Sequence, residues 1–296
     1  MRPELFKIGP LTVYSYGLML GIAFIVASYL LTKEVERRKL NPKVATEVTL
    51  LAIVFGIIGG KLFYLIENWQ SFISNPISMA FSPGGLTYYG GLILALIAIT
   101  IYLKIKKIPW FTMGDLVAPS LAIAYGIGRI GCHLAGDGDY GIPTNLPWGT
   151  NYENGTVPPS LMFSDPELLK HYPDIQKAFP NGVPDNTPLH PTSVYEFLSA
   201  LIIFEILWKL RKKQDWSDGK LFMLYFMLSG FSRLMVEFIR LNPRILFGLS
   251  EAQLISVVLI IIGAVVFVYL SKKPVIKYIP AVQSSTTTIK KKKSKV

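Results

Sequence analysis

The stretch that decides the fold covers residues 113–135 and reads MGDLVAPSLAIAYGIGRIGCHLA. It is long enough to cross a membrane as a helix, because about 20 apolar residues span the hydrocarbon core. Arg129 lies near its end, inside the glycine-rich run GRIGCHLAGD of residues 128–137. A charge at that depth is costly unless it meets a counter-ion, so intramembrane charges indicate functional sites. The stretch therefore predicts a membrane helix that carries part of such a site.

Composition places the chain among integral membrane proteins. Of its 296 residues, 51% are hydrophobic and only 17% are charged, and the mean hydropathy is +0.42. These values are too apolar for an ordinary soluble domain. Apolar residues do not alternate with polar ones at period two, as they do in an outer-membrane barrel. The composition predicts an all-α integral membrane protein.

Seven apolar runs have the length of a membrane helix, about 17–25 residues. The first run is stopped by basic residues and has no small-residue cleavage site, so it is predicted to remain as a helix and not to be removed as a signal peptide. Together the runs predict one seven-helix membrane domain over residues 1–270. The predicted spans are 14–32, 44–67, 86–103, 113–135, 194–210, 220–239 and 252–270.

Basic residues in the connections predict the orientation. Lysine and arginine cluster after the first, third, fifth and seventh spans. Cytoplasmic connections carry such an excess. By contrast, residues 70–85 carry no lysine or arginine, and residues 136–191 carry only Lys170 and Lys177. The N-terminus is therefore predicted to lie outside the cell membrane and the C-terminus in the cytoplasm.

The formal net charge of +11 reflects this topology. A nucleic-acid-binding surface would interleave basic residues with aromatic ones on one soluble face, whereas here they lie in short segments at the ends of spans. Nucleic acid is therefore not an expected partner. Residues 271–296 are rich in serine, threonine and lysine, which predicts a basic disordered tail beside the anionic inner leaflet.

The connection at residues 136–193 is the one sizeable extramembrane region in the prediction. Ser164 and Glu167 have the spacing of a capping box, and together with Pro166 they predict a short helix over residues 164–179. Two interpretations are open for this external arm. It is either a lid over an outer cavity or an ordered surface loop without chemistry.

Cysteine and histidine give no sign of a metal site. Cys132 is the single cysteine, so it forms no internal disulfide, and no Cys/His cluster has zinc-binding spacing. Neither a metal nor another cofactor is predicted.

Charged residues of the predicted spans concentrate in the outer half of the membrane. Arg129 closes the fourth span, Glu196 opens the fifth, and Arg233 and Glu237 close the sixth. Arg240 follows Arg233 by seven residues and Glu237 follows it by four. These spacings place the three on one helix face. The sequence thus predicts that the charges of three spans meet at one depth.

Each of these features also has an ordinary structural explanation. Arg233 and Glu237 suit a simple pair within one helix, and Gly90-Gly91 suits close helix packing. Taken together with Lys61, however, the cations are predicted to outnumber the acids and to form a net positive pocket that opens outward. Guanidinium groups match phosphate oxygens, so the predicted ligand is an anionic lipid head group.

Several motifs resemble those of the bacterial prolipoprotein diacylglyceryl transferase family. Gly128-Arg129-Ile130-Gly131, followed by Gly136-Asp137, is similar to the family signature. The resemblance follows the family order and covers nearly all of the chain up to about residue 270. The other similar blocks lie at residues 15–19, 89–92, 190–196, 231–240 and 253–256.

The resemblance implies an enzyme without a cofactor. Such an enzyme moves the diacylglyceryl group of phosphatidylglycerol to the lipobox cysteine of a preprolipoprotein, forms a thioether and releases glycerol phosphate. It also implies a multi-pass protein of the bacterial inner membrane whose pocket faces outward. The implied catalytic residues are Arg129, Arg233, Tyr89, Asp137 and Glu237. The residues implied to bind the phosphatidylglycerol head group are Tyr16, Arg129, Gly90, Gly91, Glu196, Arg233 and Arg240.

The proton acceptor stays open at this point. Tyr89 stands where the family commonly has histidine, and His133, beside the signature, is a second candidate. Two other functions also stay open: a divergent relative that uses another anionic phospholipid or acceptor, and a non-catalytic protein that binds or transports anions. A transporter should show two related halves and polar residues toward both membrane faces. The sequence shows neither.

Overall fold

The computed structural model describes residues 1–9, 11–82 and 84–279. Helices dominate, and two short hairpins accompany them. The strands are β1 (Glu4–Ile8), β2 (Leu11–Tyr14), β3 (Arg244–Leu246) and β4 (Leu249–Ser250). The helices are α1 (Ser15–Arg37), α2 (Lys43–Glu67), α3 (Trp69–Ser74), α4 (Pro76–Phe81), α5 (Tyr88–Lys106), α6 (Trp110–Ala135), α7 (Pro159–Met162), α8 (Pro166–Lys170), α9 (Pro173–Ala178), α10 (Thr192–Leu210), α11 (Lys220–Glu237) and α12 (Glu251–Ser271).

Within the described residues, seven helices have 18 or more residues, and each coincides with one predicted span. Five of them, α1, α2, α5, α6 and α12, are long and apolar enough to cross a membrane. The prediction of a helical membrane protein is therefore confirmed, whereas the predicted number of seven spans stays a prediction. The other two, α10 and α11, contain charged residues that lower their hydropathy, among them Glu196, Glu205, Lys220 and Arg233.

The long helices alternate in direction, which brings a defined set of helix ends together. We call this end of the bundle the site end: α1, α5, α10 and α12 begin there, and α2, α6 and α11 end there. Hydrogen bonds join these ends, such as Ser250 Oγ to Glu237 Oε1 at 2.8 Å and Tyr89 Oη to Glu251 Oε1 at 2.7 Å. Helix termini distant in sequence therefore share one region.

Helix α6 is the central helix. Half of its apolar window is buried inside the protein, against 11% to 17% for the other four candidate spans. It packs against α1, α10 and α11, whereas α5 pairs mainly with α2 and α12 with α11. The peripheral helices α1, α2, α5 and α12 carry exposed apolar side chains, among them Ile25, Leu62, Ile97 and Ile261, which suit contact with lipid.

The pairing of α2 with α5 depends on glycine. Gly90 and Gly91 are buried at this contact, where a Cβ on Gly90 would lie 2.6 Å from the carbonyl oxygen of Gly59. Real Cβ atoms essentially never come so close, so a larger residue would separate the helices. Small residues permit such close backbone approach between membrane helices.

Two short antiparallel hairpins, which the sequence did not predict, flank the helices of this all-α membrane protein. The β1–β2 hairpin precedes α1 and pairs Glu4 with Tyr14, and the β3–β4 hairpin connects α11 to α12. Their strands have two to five residues. Strands this short leave little periodicity to detect beside a long apolar run.

The external arm, residues 136–193, has a small core of its own. The single helix predicted over residues 164–179 is wrong: α8 and α9 are separate, because Pro173 cannot continue a helix from the residue before it. The predicted cap is also wrong. Asp165, not Ser164, accepts from the backbone N–H of Glu167, at 2.9 Å. The buried residues of the arm core are Tyr140, Tyr152, Phe163, Leu168, Val183 and Leu189, joined by Leu241.

The arm is tied to the bundle at the backbone. Tyr172 Oη donates to the carbonyl oxygens of Arg240, at 2.7 Å, and Asn242, at 3.1 Å. Thr192 and Ser193, at the start of α10, both donate to the carbonyl oxygen of Asp139 at 2.8 Å. The arm and the helix ends therefore form one packed region.

The opposite end of the bundle holds the first residues of the predicted basic tail. Arg38 makes two 2.9 Å hydrogen bonds to the carboxylate of Asp218, which also accepts from the backbone N–H of Tyr278 at 2.9 Å. Burial alone would raise the pKa of Asp218, but the bonds from Arg38 and Thr112 outweigh it and hold this pKa below its ordinary value. The rest of the predicted tail, residues 280–296, lies outside the described residues.

Candidate active site

A chamber of about 490 Å³ opens between α5, α6, α10, α11 and α12. Its charged residues, Arg129, Glu196 and Arg233, meet on one wall, while the rest of the lining is aromatic, aliphatic or small. A cavity of this kind, mostly apolar with a few converging polar groups, is the usual form of a ligand site. The remaining lining residues are Tyr88, Tyr89, Leu92, Ala122, Tyr125, Ser199, Ala200, Ile203, Tyr225, Ser229, Gly230, Ser232, Ala252, Ile255, Ser256 and Leu259.

Glu196 is the centre of the charged wall. Its side chain is wholly buried at the start of α10. Oε1 accepts from Arg233 Nη1 at 2.5 Å and from Tyr125 Oη at 2.6 Å. Oε2 accepts from Arg240 Nη1 at 3.1 Å and lies 3.3 Å from Arg129 Nε. One carboxylate thus holds three arginines from α6, α11 and the residues after α11.

Arg129 and Arg233 present their guanidinium groups to the chamber. Their side chains are 19% and 23% exposed. Arg129 donates through Nη1 to Asp139 and lies over the ring of Tyr125, 4.9 Å from its centroid. Within the part of the chain that the structure describes, Nη2 of Arg129 has no hydrogen-bond partner. This leaves a donor for a ligand.

Glu237 forms an ion pair with Arg233, one turn earlier in α11. The carboxylate of Glu237 is wholly buried, and its Oε2 lies 3.1 Å from Arg233 Nη2. Its Oε1 accepts from Ser250 Oγ at 2.8 Å and from Asn242 Nδ2 at 2.5 Å. These neutral donors hold the carboxylate of Glu237 in place. The guanidinium group of Arg233 is therefore positioned both by α11 and by the segment between α11 and α12, which contains Asn242 and Ser250.

Arg240 lies behind the chamber wall and is only 6% exposed. Its Nη2 donates to Asp139, and its Nη1 to Glu196. It is therefore a neighbour of the two chamber arginines without lining the chamber. The family resemblance implied that Arg240 binds the head group. In the structure Arg240 contacts Asp139 and Glu196, and these contacts suit a residue that positions the two acids.

Asp139 is the acid that sequence reasoning missed. It contacts both Arg129 and Arg240, whereas Asp137, the acid named from the signature, makes no ion pair with these arginines. Asp137 Oδ1 instead accepts from the backbone N–H of Asp139 at 3.3 Å. The sequence does show Asp139 as a second acid, two residues after Asp137. Its partner Arg240 lies 101 residues away, so the sequence alone did not indicate the ion pair.

The whole charged cluster is balanced, but the chamber lining itself carries two arginines and one glutamate, so the predicted net positive pocket stays a prediction. Three arginines, Arg129, Arg233 and Arg240, face three acids, Asp139, Glu196 and Glu237, so the formal charges balance. Lys61 does not join them. Its ammonium donates to Ser82 Oγ and to the carbonyl oxygens of Ser82 and Gly84 at 2.8 to 2.9 Å, in the connection before α5. Lys61 lies near the end of α2 at the site end, but its side chain points to the connection before α5 and not to the arginine cluster.

The acids of the arm carry opposite pKa shifts. Burial alone would raise the pKa of Asp139, but the charges of Arg240 and Arg129 outweigh it and hold this pKa below its ordinary value. Burial, reinforced by the charge of Asp139, raises the pKa of Asp137. Of the two, Asp139 is therefore the more firmly ionised.

Asp137, Asp139 and Cys132 come close enough to be considered as metal ligands. Their ligand atoms lie within 4.8 Å of one another. However, the Asp139 carboxylate is engaged by two guanidinium groups, and a cation placed there would face both of them. The chemistry of this donor set does not favour a resident metal.

Tyr89 lines the chamber from the first turn of α5. Its hydroxyl donates to Glu251 at 2.7 Å, a residue that the sequence gave no reason to single out. The adjacent Gly90 and Gly91 are buried against α2 and do not line the chamber. Their predicted part in head-group binding stays a prediction, and their contacts hold the start of α5, which carries Tyr89, against α2.

Two further predicted residues do not line the chamber, although Tyr16 is close enough to Arg129, Asp137 and Asp139 to interact with their charges. Tyr16, near the start of α1, packs over Gly131 on the α1 side of α6. His133 Nδ1 lies 3.1 Å from Tyr152 Oη and faces the core of the arm. The structure therefore brings Arg129, Glu196, Arg233 and Tyr89 to one cavity, and these two residues do not line it.

Comparison with known proteins identifies the family. The sequence profile described as prolipoprotein diacylglyceryl transferase matches residues 3–269. The chain belongs to this family. The resemblance carried by the signature around Arg129 and by the other blocks is thereby confirmed.

Curated members of the prolipoprotein diacylglyceryl transferase family are similar over nearly their whole length. A phosphatidylglycerol–prolipoprotein diacylglyceryl transferase of Clostridium tetani is 36% identical, over 90% of this chain and 97% of its own length. Proteins with the same name from Leptospira interrogans and Fusobacterium nucleatum are 31% and 32% identical. These matches cover 86% and 89% of this chain, and 87% and 96% of the two relatives.

Proposed function

We propose that this protein transfers the diacylglyceryl group of phosphatidylglycerol to the lipobox cysteine of preprolipoproteins. The thiol sulfur forms a thioether with the glycerol carbon, the bond from that carbon to the phosphate oxygen breaks, and glycerol phosphate leaves. The names of the relatives and their coverage of the chain support this reaction. The observation that carries it in the structure is the chamber, in which two arginines face an otherwise largely apolar cavity.

In this proposal Arg129 and Arg233 bind the phosphate. Guanidinium groups donate in a fork that matches phosphate oxygens, and they stabilise the charge that develops as the carbon–oxygen bond breaks. The unpartnered Nη2 of Arg129 and the chamber-facing side of Arg233 are the available donors. The acids Glu196 and Glu237 hold both forks in place before the lipid arrives, so little reorganisation is needed.

The balanced charge of the cluster changes how selectivity for an anionic lipid is explained. A cluster of six charges that balance overall attracts anions only weakly from a distance. It offers two positioned forks whose counter-ions lie behind them, wholly buried in the case of Glu196 and Glu237. The forks bind the phosphate that phosphatidylglycerol shares with phosphatidylethanolamine. Discrimination between the two lipids then comes from the rest of the head group, because the ammonium of phosphatidylethanolamine would lie near the cations of Arg129 and Arg233.

The apolar part of the chamber suits the glycerol end of the acyl chains. Leu92, Ile203, Ile255 and Leu259 line it on α5, α10 and α12. About 490 Å³ holds a head group and its glycerol but not two complete acyl chains, so the chains would extend into the surrounding bilayer.

The thiol of the acceptor must lose its proton, and Tyr89 is better placed than His133 to take part. Tyr89 lines the chamber beside the arginines, whereas His133 contacts Tyr152 in the arm. Asp137 is close to the signature but has no contact with the arginines, so its predicted catalytic role rests on the family resemblance alone.

The proposal includes the predicted topology. All seven long helices would cross the inner membrane of a bacterial cell, with the N-terminus outside, the C-terminus in the cytoplasm and the site end facing outward. The alternating helix directions support an odd number of crossings. The charged residues of α10 and α11 suit the interior of the bundle, because intramembrane charges pair with one another there.

The reaction is tested with purified protein, phosphatidylglycerol and a synthetic lipobox peptide. Mass spectrometry should detect the diacylglyceryl thioether of the peptide, and glycerol phosphate should appear in equal amount. A matched reaction with phosphatidylethanolamine should give little product. Equal use of both lipids would contradict the proposed head-group selectivity, and no product with any lipid would favour a non-catalytic lipid-binding protein.

A further inference from the structure

Tyr89 and Glu251 form a hydrogen-bonded pair at the edge of the chamber. Tyr89 Oη donates to Oε1 of Glu251 at 2.7 Å, and the tyrosine remains 43% exposed. The bond joins the first turn of α5 to the first turn of α12. Within the described residues Glu251 forms no ion pair. It is therefore a carboxylate at the chamber edge that the arginines do not neutralise.

The position of Glu251 is coupled to the arginine cluster through its neighbour. Ser250 caps α12 by accepting from the backbone N–H of Gln253 at 3.3 Å. The same hydroxyl donates to Glu237 at 2.8 Å, and Glu237 holds Arg233. These hydrogen bonds fix the first turn of α12, and therefore Glu251, relative to the proposed phosphate site.

The proposed reaction needs an acceptor for one proton. A cysteine thiol has an ordinary pKa of about 8.5, and a neutral tyrosine hydroxyl is a weak base on its own. A tyrosine can accept the proton readily only if it passes its own proton on. The partner of Tyr89 is a carboxylate, which can take it.

We propose that Tyr89 and Glu251 act as a proton relay for the acceptor thiol. The S–H proton passes to the Tyr89 oxygen while the Tyr89 proton passes to Glu251. The sulfur then forms its bond to the glycerol carbon, and the electron pair of the breaking carbon–oxygen bond leaves on glycerol phosphate. Tyr89 ends unchanged, and Glu251 later releases its proton to water. Glu251 acts through Tyr89 and is therefore a positioning residue. The inference rests on the proposed transferase function.

The other acids near the chamber are less suited to this task. Glu196 and Glu237 are wholly buried, and each is paired with arginine. Asp139 contacts Arg129 and Arg240, which hold it ionised. Protonating any of these three would remove a counter-ion that keeps an arginine in position. Protonating Glu251 leaves the arginine cluster intact.

The test compares Glu251→Gln with the natural protein across pH 6.5–9.5. The variant keeps the size of the side chain and loses the proton acceptor. At neutral pH its turnover of the lipobox peptide should fall by about tenfold or more. The loss should shrink toward high pH, since the thiol then ionises without help. A loss that is equal at every pH would indicate a structural role and overturn the relay, as would full activity at neutral pH.

Glu67→Gln is the matched control. Glu67 is an exposed acid at the same end of the bundle, and it accepts from Thr87 Oγ1, just before α5, at 2.9 Å. Its replacement also removes one charge and weakens one hydrogen bond next to α5, but it should leave the pH profile unchanged. A pH-dependent loss in this control would contradict the assignment to Glu251.

Tyr89→His provides the rescue. An imidazole accepts a proton itself, so it should not depend on Glu251. The double variant Tyr89→His with Glu251→Gln should therefore be more active at neutral pH than Glu251→Gln alone, and failure to rescue contradicts the relay. If the natural protein forms no thioether, the proposed function has failed and the relay falls with it. If it forms thioether and Glu251→Gln matches it, only the relay has failed.

Discussion

Arg240 donates to Oε2 of Glu196 at 3.1 Å, and both side chains are almost wholly buried, Glu196 in the wall of the chamber and Arg240 behind it. The three arginines therefore have different environments. Arg240 is enclosed by acids, while Arg129 and Arg233 share Glu196 with it and still face the cavity. This difference explains how a cluster whose formal charges balance can still present the two cations Arg129 and Arg233 to a ligand.

Replacing the chamber arginines by lysine separates phosphate binding from charge. Arg129→Lys and Arg233→Lys keep the positive charge but lose the bidentate fork, so turnover should fall by about tenfold or more. Steady-state assays with the lipobox peptide measure the effect, and thermal unfolding in detergent checks that both variants remain folded. Full activity in both variants would exclude a phosphate clamp at these residues.

Glu196→Gln should act mainly on stability. The substitution removes the one negative charge that contacts all three arginines, and it leaves buried cations with fewer counter-ions. Breaking a buried ion pair from one side costs about 3–5 kcal/mol. Thermal unfolding in detergent should show a clearly lowered midpoint. A midpoint equal to that of the natural protein would mean that the other acids compensate for Glu196.

Asp139 should contribute stability that depends on pH. Its pKa in the folded protein is held below the ordinary value, so its contribution is complete above the unfolded value of about 3.9. That contribution is lost as the pH falls through the lower folded value. The natural protein should be more stable than Asp139→Asn at pH 7, and the difference between their unfolding midpoints should shrink below about pH 4. A difference that stays constant from pH 3 to pH 7 would contradict the ion pairs of Asp139.

The seven long helices could be predicted from the sequence because each corresponds to one continuous apolar run, which is visible without knowledge of distant contacts. Each run matches one long helix, and the predicted ends lie within about five residues of the observed ones. The contacts of the site could not be predicted in this way. Asp139 meets Arg240 across 101 residues, and Tyr89 meets Glu251 across 162. Lys61 contacts Ser82 and Gly84 and not the arginine cluster, because the position of a residue along a helix does not fix which neighbours its side chain meets.

Gly90→Ala tests whether the helix contact positions Tyr89. The added methyl group would meet Phe63 and the carbonyl oxygen of Gly59, so α2 and α5 would have to separate. Overpacking of this kind costs about 1–3 kcal/mol, and turnover should fall with stability because Tyr89 is the adjacent residue. Gly21→Ala in α1 is the matched control. A Cβ there meets nothing within 4 Å, so the alanine should be neutral or slightly stabilising. Equal effects of the two substitutions would contradict the packing role.

The proposed topology makes the last prediction. Reporter fusions after Arg38, Lys106, Lys212 and Lys290 should report the cytoplasm, and a fusion at Phe163 should report the outside. The fusion at Phe163 is decisive, because the core of the arm contains this residue and Tyr172 ties the arm to the backbone of Arg240. The side on which the arm lies is therefore also the side of the charged cluster. A cytoplasmic signal at Phe163 would place the chamber on the inner face of the membrane. Acceptor peptides outside the cell membrane could then not reach Arg129 and Arg233, and the proposed function would fail for that reason alone.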